Sequence, residues 1–406
     1  MIWATVRLGD EVAAGRAVVQ TGPFGSQLHQ HDYVDDGVPV VMPKDIVDGD
    51  IDLSGVARVG DAKAQAMARH ALSDGDIVFP RRGDIRKCAL VTSQTEGSLC
   101  GTGCLKIQVN SAVFEPKFLY YLMSSNEVGS WLEGRAVGTT MLNLSAGILT
   151  DLVIPAPPLL VQASIVSTVS AYDDLIDNNR RRIKLLEDSV RLLFDEWFVS
   201  TGSSSWPTST LQQLCTDEGG IQTGPFGSQL HQSDYSDEGV PVVMPKDLAT
   251  MRIDTEAIAR IPEHLADELG RHRMRRGDIV FGRRGEIGRR AFIGRRQEGY
   301  FCGTGCLRLR PDPARVHPRY LFEILRAPAV AGDIANRAKG STMANLSAGA
   351  LQGVTVPVPP RELQDRFASF ADDVSEQTDT LDEQSRKLRT ARDLLLPRLM
   401  SGELTV

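Results

Sequence analysis

The sequence QTGPFGSQLHQHDYVDDGVPVVMPKDI at residues 20–46 recurs, with four differences, as QTGPFGSQLHQSDYSDEGVPVVMPKDL at residues 222–248. The same shift of 202 positions aligns three further segments: GDIVFPRRGDIRKCAL (75–90) with GDIVFGRRGEIGRRAF (277–292), CGTGCLKI (100–107) with CGTGCLRL (302–309), and GTTMLNLSAG (138–147) with GSTMANLSAG (340–349). This alignment needs no gap, and it divides the chain into two repeats of about 160 residues, each followed by about 40 more. Solenoid repeats are only about 20–45 residues long. The repeats are therefore predicted to be duplicated domains.

The composition is that of an ordinary soluble globular protein, with 42% hydrophobic residues, 24% charged residues and a net charge of −7. A chain of 406 residues is long enough for two or three domains. No apolar run approaches the roughly 18–20 residues that span a bilayer, and the first residues do not resemble a signal peptide. Six cysteines do not suggest a disulfide scaffold in a chain of this size. We therefore expect a cytoplasmic protein.

Each repeat combines short apolar runs with a helical segment. The runs VPVVMPKDI, GDIVFP, KCALVTS and LKIQV are rich in β-branched residues and bounded by turn formers, which predicts strands. Residues 115–134 have helical spacing, with Phe118, Leu122 and Val128 or Leu132 on one side. The predicted fold class is α+β, with two duplicated mixed α/β domains.

A heptad pattern follows each repeat and predicts a long helix there. Its core positions in the first helix are Ile165, Val169, Tyr172, Ile176, Asn179, Ile183, Leu186, Val190, Leu193 and Trp197. The matching segment at 363–400 keeps apolar residues at Phe367, Ala371, Val374, Leu381, Leu388, Leu395 and Leu399, with Thr378, Ser385 and Arg392 in the other core positions. We predict that the two helices separate the domains and pack as an antiparallel coiled coil, which would give the molecule pseudo-two-fold symmetry. The alternative is two unrelated amphipathic helices, each packed on its own domain.

These patterns predict five segments along the chain. The first domain covers 1–160 and is followed by the first long helix at 161–200. Small polar residues in TGSSSWPTST predict a linker at 201–210. The second domain covers 211–362, and the second long helix with the C-terminal tail covers 363–406.

Motifs of common catalytic sites are absent from the sequence. It contains no G-x-x-x-x-G-K-[ST] loop, no H-E-x-x-H and no G-x-S-x-G. The pairs Cys100/Cys104 and Cys302/Cys306 raise the possibility of zinc, but their spacing differs from the usual C-x₂-C arrangement and no histidine follows at ligand spacing. Small buried thiols are the favoured interpretation.

Arginine clusters indicate a binding function. Residues 271–296 hold ten arginines against Asp278 and Glu286. The first repeat has Arg69, Arg81, Arg82, Arg86 and Lys87 in the equivalent stretch. Arginine suits bidentate contacts to phosphates and to the guanine edge, so the cluster favours nucleic acid over a solvated basic face.

Two other loops have polar groups suited to DNA. In the first, Phe24 is interpreted as an apolar anchor, and Ser26, Gln27, His29 and Gln30 supply hydroxyl, amide and imidazole groups. The second is the Gly/Thr/Asn segment GTTMLNLS. We predict that these loops converge with the arginine loop on a DNA groove.

The order of these motifs carries a family resemblance. A Gly-rich loop, VPVVMPKDI, GDIVFxRRGxIG, GTTMxNLSxxxLxxxxIPxPPxxxQ and a long helix ending LFDEWFV resemble the target-recognition half of a type I restriction-modification specificity subunit. The ending LLLPRLMSGEL is similar to the carboxyl end of that family. The resemblance covers essentially the whole chain.

The resemblance implies a non-catalytic subunit in which two target-recognition domains each read one half of a bipartite DNA site. The helices would act as spacer and as docking surface for two modification subunits. Those subunits, not this chain, would bind S-adenosylmethionine and methylate adenine, and a restriction/translocase subunit would use ATP with Mg²⁺. No cofactor, metal site or catalytic residue is expected in this chain.

The resemblance places the DNA-binding residues in three loops of each repeat. In the first repeat they are Ser26, Gln27, His29, Gln30, Arg81, Arg82, Arg86, Lys87, Thr139, Thr140 and Asn143. In the second they are Ser228, Gln229, His231, Gln232, Arg283, Arg284, Arg289, Arg290, Ser341, Thr342 and Asn345. Like domains predict like half-sites in inverted orientation, hence a near-palindromic site. The alternative function is a duplicated-domain scaffold whose arginines pair with acidic protein partners.

Overall fold

The computed structural model describes residues 3–25, 27–136, 142–200, 206–226, 229–249, 251–284, 287–338 and 345–405. The chain forms two compact units: unit 1 is Met1–Asn178 with Gln384–Val406, and unit 2 is Asn179–Glu383. Each unit thus contains one repeat and part of both long helices. The predicted segment boundaries at 160 and 362 follow the repeat instead, and they stay predictions.

Unit 1 consists of short strands and helices. Its strands are β1 (Thr5–Arg7), β2 (Ala17–Thr21), β3 (Tyr33–Val34), β4 (Val38–Val41), β5 (Ile46–Val47), β6 (Asp50–Ile51), β7 (Ala57–Val59), β8 (Ile77–Pro80), β9 (Ala89–Leu90), β10 (Leu99–Cys100), β11 (Cys104–Val109) and β12 (Val153–Pro155). Its helices are α1 (Leu8–Ala13), α2 (Asp61–Ala66), α3 (Pro116–Met123), α4 (Asn126–Glu133), α5 (Ala146–Thr150) and the start of α6 (Leu159–Phe194).

Two four-stranded sheets form the centre of unit 1. One is antiparallel in the order β2-β11-β8-β9, and the other has the order β10-β4-β7-β3, with β10 parallel to β4. The strands predicted from VPVVMPKDI, GDIVFP, KCALVTS and LKIQV are β4, β8, β9 and β11, so these predictions are confirmed. Their apolar side chains, including Val41, Phe79 and Leu105, are buried.

The single helix predicted at 115–134 is two helices, α3 and α4. Glu115 caps α3 by accepting the N–H of Phe118, and Ser125 caps α4 by accepting the N–H of Val128. Ser125 adopts extended backbone angles, which end one helix and begin the next. The expected apolar face is nevertheless buried at Phe118 and Leu132.

Unit 2 repeats this architecture. Its strands are β13 (Thr208–Thr210), β14 (Ile221–Thr223), β15 (Val240–Val243), β16 (Leu248–Ala249), β17 (Arg252–Ile253), β18 (Arg260–Ile261), β19 (Ile279–Gly282), β20 (Arg290–Phe292), β21 (Phe301–Cys302), β22 (Cys306–Leu309) and β23 (Thr355–Pro357). Its helices are α7 (Leu211–Leu214), α8 (Glu263–Glu268), α9 (Pro318–Ile324), α10 (Pro328–Arg337), α11 (Ala348–Gln352) and the start of α12 (Arg361–Met400). The main sheet has the order β14-β22-β19-β20, which matches β2-β11-β8-β9.

The ungapped alignment is wrong near the start of each repeat. Thr5 pairs with Pro155 in β1–β12, whereas Thr208 pairs with Pro357 in β13–β23. Thr208 is therefore the counterpart of Thr5, a shift of 203 positions rather than 202. The predicted linker at 201–210 also includes β13, so its last three residues belong to a sheet; residues 201–205 lie outside the described residues.

The two long helices pack antiparallel, which confirms the predicted fold class. In unit 1 the early α6 residues Ile165 and Val169 share a core with Leu399, near the end of α12. In unit 2 the late α6 residue Phe194 shares a core with Phe367, near the start of α12. The π-helical turns Asp195–Ser200 extend α6 beyond Phe194.

The burial of the predicted coiled-coil positions also agrees with the heptad pattern. The buried ones are Ile165, Val169, Ile176, Asn179, Val190 and Leu381. The partly buried ones are Tyr172, Ile183, Leu186, Leu193, Trp197, Leu388 and Leu395. In unit 1 the polar residue Arg392 donates to Asp173 at 2.7 Å, and Tyr121 donates to the same carboxylate at 2.5 Å. A charged side chain is tolerated at this core position because its partner lies on the facing helix.

Helix α6 has an 18-residue window of mean hydropathy 1.2, so length and composition alone would allow it to cross a membrane. This qualifies the expectation that no segment approaches that limit. Ile165 and Val169 account for part of the apolar character, and both are buried in the unit 1 core. An amphipathic helix packed on a folded domain needs such residues on its inner face.

Candidate nucleic-acid interface

A glycine turn at residues 100–104 joins the predicted DNA-binding loops of unit 1. The N–H of Gly22 donates to the carbonyl of Cys104 at 2.9 Å, and the N–H of Arg81 donates to the carbonyl of Gly103 at 2.6 Å. A Cβ atom on Gly22 would lie 1.9 Å from the carbonyl oxygen of Gly101. Only glycine permits this approach, which brings the loop at residues 22–30 (the Gly-Pro loop) and the loop at residues 81–87 (the arginine loop) to the same turn.

The arginine loop is bound in turn to the segment that ends the Gly/Thr/Asn loop. Arg82 and Asn143 form an isolated antiparallel β-bridge. The N–H of Leu144 donates to the carbonyl of Arg81 at 2.8 Å. Ser145 then caps α5, which fixes the far end of this loop. Three separate parts of the sequence therefore meet at one end of the β2-β11-β8-β9 sheet, where β2 and β8 end and β11 begins.

Unit 2 builds the same arrangement with the same hydrogen bonds. Gly224 donates to Cys306 at 3.0 Å, and Arg283 donates to Gly305 at 2.8 Å. Arg284 and Asn345 form the equivalent β-bridge. The two repeats thus place the backbones of these loops alike.

The Gly-Pro loop is ordered by its own polar side chains. The N–H of Gln27 donates to the carbonyl of Phe24 at 2.8 Å, and Gln27 Oε1 accepts the Phe24 N–H at 3.4 Å. The N–H of His29 donates to Asp32 at 2.7 Å, a contact that lowers the pKa of that carboxyl. His29 and Gln30 are exposed.

The second Gly-Pro loop has the same contacts. Gln229 closes the turn through Phe226, and the N–H of His231 donates to Asp234 at 2.7 Å. His231 and Gln232 are exposed, and Gln229 is half-buried. The glutamine carbonyl oxygens are thus already hydrogen-bonded.

Phe24 is not the anchor that the sequence predicted. Its side chain is 60% exposed, and that of Phe226 is 61% exposed. Leu28 and Leu230 are buried instead and attach the two loops to the domain cores. The local sequence offered two apolar residues, and only the tertiary packing shows which one faces inward.

Ion pairs neutralise much of the arginine cluster at 271–296. In unit 2 Arg276 pairs with Asp372, Arg295 with Glu376, and Arg296 with Glu383, all on α12. A further pair forms between Arg273 and Glu263, with Asp267 also within reach. The prediction counted only the charges nearby in sequence, so it overestimated the positive charge available to a ligand.

Arg290 is a correction to the predicted DNA-binding set. Its side chain is 5% exposed, its guanidinium lies over the ring of Phe322, and its Nε and Nη2 atoms have no hydrogen-bond partner. Burial lowers its pKa. A residue enclosed in this way cannot contact a phosphate on the surface. Arg284 and Arg289 are exposed, and Arg283 is half-buried.

In the first repeat the arginine loop likewise has one exposed and one half-buried arginine. Arg82 is exposed, whereas Arg81 is half-buried and its Nε donates to the carbonyl of Leu144 at 3.5 Å. Arg86 packs against α4 and donates to Ser130 Oγ on that helix at 3.2 Å. Lys87 is exposed and lies 3.6 Å from Asp84. Arg82 is therefore the residue of this loop best placed for an external anion, since Lys87 is paired with Asp84.

Several predicted residues cannot be located. Ser26, Thr139, Thr140, Ser228, Ser341 and Thr342 lie outside the described residues. Their assignment to the DNA surface stays a prediction.

The cysteines and two histidines, His70 and His272, are buried in the structure. All six cysteines are free and buried, and burial raises the pKa of Cys100 and Cys302 to about 12. The interpretation as buried thiols is confirmed. Burial also lowers the pKa of His272 to about 4, and the same cause lowers that of His70.

Lys44 and Lys246 are candidates that the sequence analysis missed. Both are exposed and follow the proline of a 3₁₀ turn. Pro43 lies beside Gly103, and Pro245 lies beside Gly305, so each lysine borders the glycine turn of its repeat. Their exact recurrence within VPVVMPKD was the available signal.

Comparison with known proteins identifies the family. A family model for the type I restriction modification DNA specificity domain matches residues 70–188 and 228–389. The chain belongs to this family. It is a specificity subunit of a type I restriction-modification system, which acts within a complex, and it supplies DNA sequence specificity rather than catalysis.

Individual relatives agree with this assignment. The type I restriction enzyme MjaIX specificity subunit of Methanocaldococcus jannaschii is 24% identical over 307 residues, covering 71% of this chain and 69% of the relative. The EcoBI specificity subunit of Escherichia coli is 17% identical over 414 residues, covering 95% and 84%. The crystal structure of a type I restriction-modification S subunit from M. genitalium has a TM-score of 0.57 at 16% identity, covering 98% of this chain and 96% of that one. At this low identity, the likeness to the M. genitalium structure shows a shared fold.

Proposed function

We propose that this specificity subunit reads a bipartite DNA site made of two like half-sites, one through the loop cluster of each repeat. The observation that carries the proposal is the repeated hydrogen bonding. The Arg82–Asn143 bridge recurs as Arg284–Asn345, and both arginine loops are tied to a glycine turn. Surfaces with like side chains on like backbones favour like sequences, so the site is near-palindromic.

Within each cluster the side chains suit different parts of DNA. Arg82 and Arg284 are exposed, and a guanidinium binds phosphate or the O6/N7 edge of guanine. The exposed Asn345 has an amide group that can pair with adenine, whereas Asn143 Oδ1 is buried and the glutamines of the Gly-Pro loops already use their carbonyl oxygens within the loop. Lys44 and Lys246 add charge at the border, where phosphates would lie.

Two modification subunits dock on the long helices. Support comes from an apolar stripe on α6, where Leu185 is 69% exposed and Leu192 is 63% exposed, with Val199 seven residues further on. Heptad spacing is the spacing by which one helix packs on another, and this stripe is separate from the positions that face α12. Leu175 and Leu394 are further exposed leucines, one on each long helix. Helices of the modification subunits cover these residues.

The partners carry the cofactors. The modification subunits bind S-adenosylmethionine and methylate adenine, and a restriction/translocase subunit uses ATP with Mg²⁺. This chain contributes the DNA contacts and the helical docking surface. The complex acts in the cytoplasm, where such a system meets incoming DNA.

The test begins with the chain co-expressed with its modification subunits, followed by mapping of methylated adenines by single-molecule sequencing. We expect a bipartite motif with near-palindromic halves. Arg82→Ala and Arg284→Ala should each weaken DNA binding and reduce the slope of log K against log salt by about 0.9, the value for one phosphate contact. Arg398→Ala removes an exposed arginine near the end of α12 that pairs with Glu403 and should change neither quantity.

Three outcomes would count against the proposal. Unrelated half-sites would contradict the like-surface argument and place specificity in the divergent stretches 47–74 and 249–276. Equal effects of Arg398→Ala and Arg82→Ala would show that the loops have no special role. Salt-independent association with a protein, without methylation that depends on this chain, would favour the scaffold.

A further inference from the structure

The exposed rings of Phe24 and Phe226 lie outside the hydrophobic core clusters that hold Leu28 and Leu230 in the described structure. Each is about three-fifths exposed, although phenylalanine is among the residues most often buried in proteins. The two occupy the same position of an identical ten-residue segment, 202 positions apart. We propose that each ring is a wedge that stacks on or between the bases of its own half-site. This inference rests on the proposed DNA-reading function.

The loop holds the ring outward. Gly22 lies so close to Gly101 that the turn has no room to fold inward, and Pro23 restricts the backbone just before the phenylalanine. Gln27 closes the turn on its other side through two hydrogen bonds with Phe24, at 2.8 Å and 3.4 Å. The buried Leu28 fixes the loop to the domain.

The second repeat orders its ring with the same contacts. Gln229 forms the two hydrogen bonds with Phe226 at the same distances, 2.8 Å and 3.4 Å. A Cβ on Gly224 would lie 2.0 Å from the Gly303 carbonyl oxygen. The backbone that bears each ring is therefore ordered before any ligand binds, which reduces the entropy cost of placing the rings.

The surroundings of the ring favour a base as its partner. The glycine turn that contacts Gly22 also accepts the N–H of Arg81, so the aromatic ring and the exposed Arg82 extend from adjoining loops. DNA offers this combination of ligands, because its phosphates are anionic and its bases have flat apolar faces. Aromatic and apolar side chains inserted between base steps are an established means of unstacking and kinking DNA.

Loss of the phenylalanine ring and loss of an arginine should have different effects on the salt dependence of DNA affinity. Stacking on a base contributes about 1–3 kcal/mol and does not release counterions, whereas a phosphate contact changes the salt dependence. Loss of the ring should therefore lower affinity about 5- to 150-fold, since each 1.4 kcal/mol corresponds to a tenfold change, without changing the salt slope.

The experiment uses the co-expressed complex and duplexes of its mapped site, with 2-aminopurine placed at successive positions in either half. Wild-type protein should change the fluorescence at one step in each half-site. Phe24→Ala should abolish the change in one half only, and Phe226→Ala in the other, so each variant is the control for its partner. Phe24→Trp should restore the fluorescence change that Phe24→Ala abolishes, and unchanged melting temperatures would show that the variants fold.

The outcomes separate this inference from the function on which it rests. If wild type binds no bipartite site, the proposed function fails. If wild type binds and Phe24→Ala binds equally well, the wedge is overturned while the function stands. A loss of affinity with an unchanged fluorescence pattern would also overturn it, and would indicate a contact with a thymine methyl group if uracil substitution removed the difference.

Discussion

Gly22→Ala should damage the loop cluster more than any surface substitution of similar size. The added Cβ would lie 1.9 Å from the Gly101 carbonyl oxygen, whereas ordinary contact begins at 3.4 Å. One backbone must therefore move by about 1.5 Å, the difference between these distances. The movement breaks the 2.9 Å hydrogen bond from Gly22 to Cys104.

The expected loss of stability combines two contributions. Overpacking costs about 1–3 kcal/mol and the lost hydrogen bond about 0.5–1.5 kcal/mol, so we expect about 1.5–4.5 kcal/mol in total. For a unit of about 200 residues this lowers the unfolding temperature by roughly 3–18 °C. A displacement of about 1.5 Å is also larger than the roughly 0.5 Å over which hydrogen-bond lengths vary, so contacts of the displaced loop with DNA should be lost and affinity for the half-site should fall at least about tenfold.

Calorimetry and DNA-binding titrations measure the two effects. Gly224→Ala is the matched variant in unit 2, where the Cβ would lie 2.0 Å from the Gly303 carbonyl oxygen, and it should behave alike. Gly55→Ala is the control, because a Cβ there has no neighbour within 4 Å among the described residues. Wild-type stability and DNA affinity in Gly22→Ala would refute the tight backbone approach at the glycine turn.

Two other predictions follow from buried groups in unit 2. Burial lowers the pKa of His272 to about 4, so the unfolded chain takes up this proton near pH 6.5 while the folded chain resists it; the free energy of unfolding should therefore fall as pH drops from about 6.5 towards 4. Thermal melts should show a smaller loss in His272→Gln, and an identical pH profile would contradict the assignment. Arg290→Met removes a buried guanidinium with two unpaired nitrogen atoms, so it should leave DNA affinity and salt slope unchanged and should not lower the melting temperature. A reduced salt slope in this variant would show that Arg290 contacts a DNA phosphate after all.

Local sequence patterns predicted the secondary structure correctly where the burial of the side chains in the structure matches the apolar pattern. Strand β8 has buried residues on both faces and appears in the sequence as the continuous apolar run IVF. The error at 115–134 arose because two serines in a row are compatible with a helix interior, while Ser125 instead caps a new helix. Propensity alone does not decide between these outcomes.

The candidate site was predictable as a set of loops but not in its individual side chains. The identical Gly-Pro loops and the two RRG turns marked the correct segments, and their adjacency is seen in the Arg82–Asn143 bridge. The exposure of Phe24 and the burial of Arg290 were both missed. In each case the deciding neighbours come from distant segments, such as Phe322 beneath Arg290.

The sequence by itself determined the duplication, the strand and helix content, and the coiled-coil positions, because repetition and periodicity are properties of residues near one another in the chain. Only the tertiary structure decided which charges remain available to DNA. Arg276 and Arg296 are neutralised by acids on α12 that lie 96 and 87 residues away. Charge is summed over neighbours in space, and folding places those carboxylates within hydrogen-bonding distance.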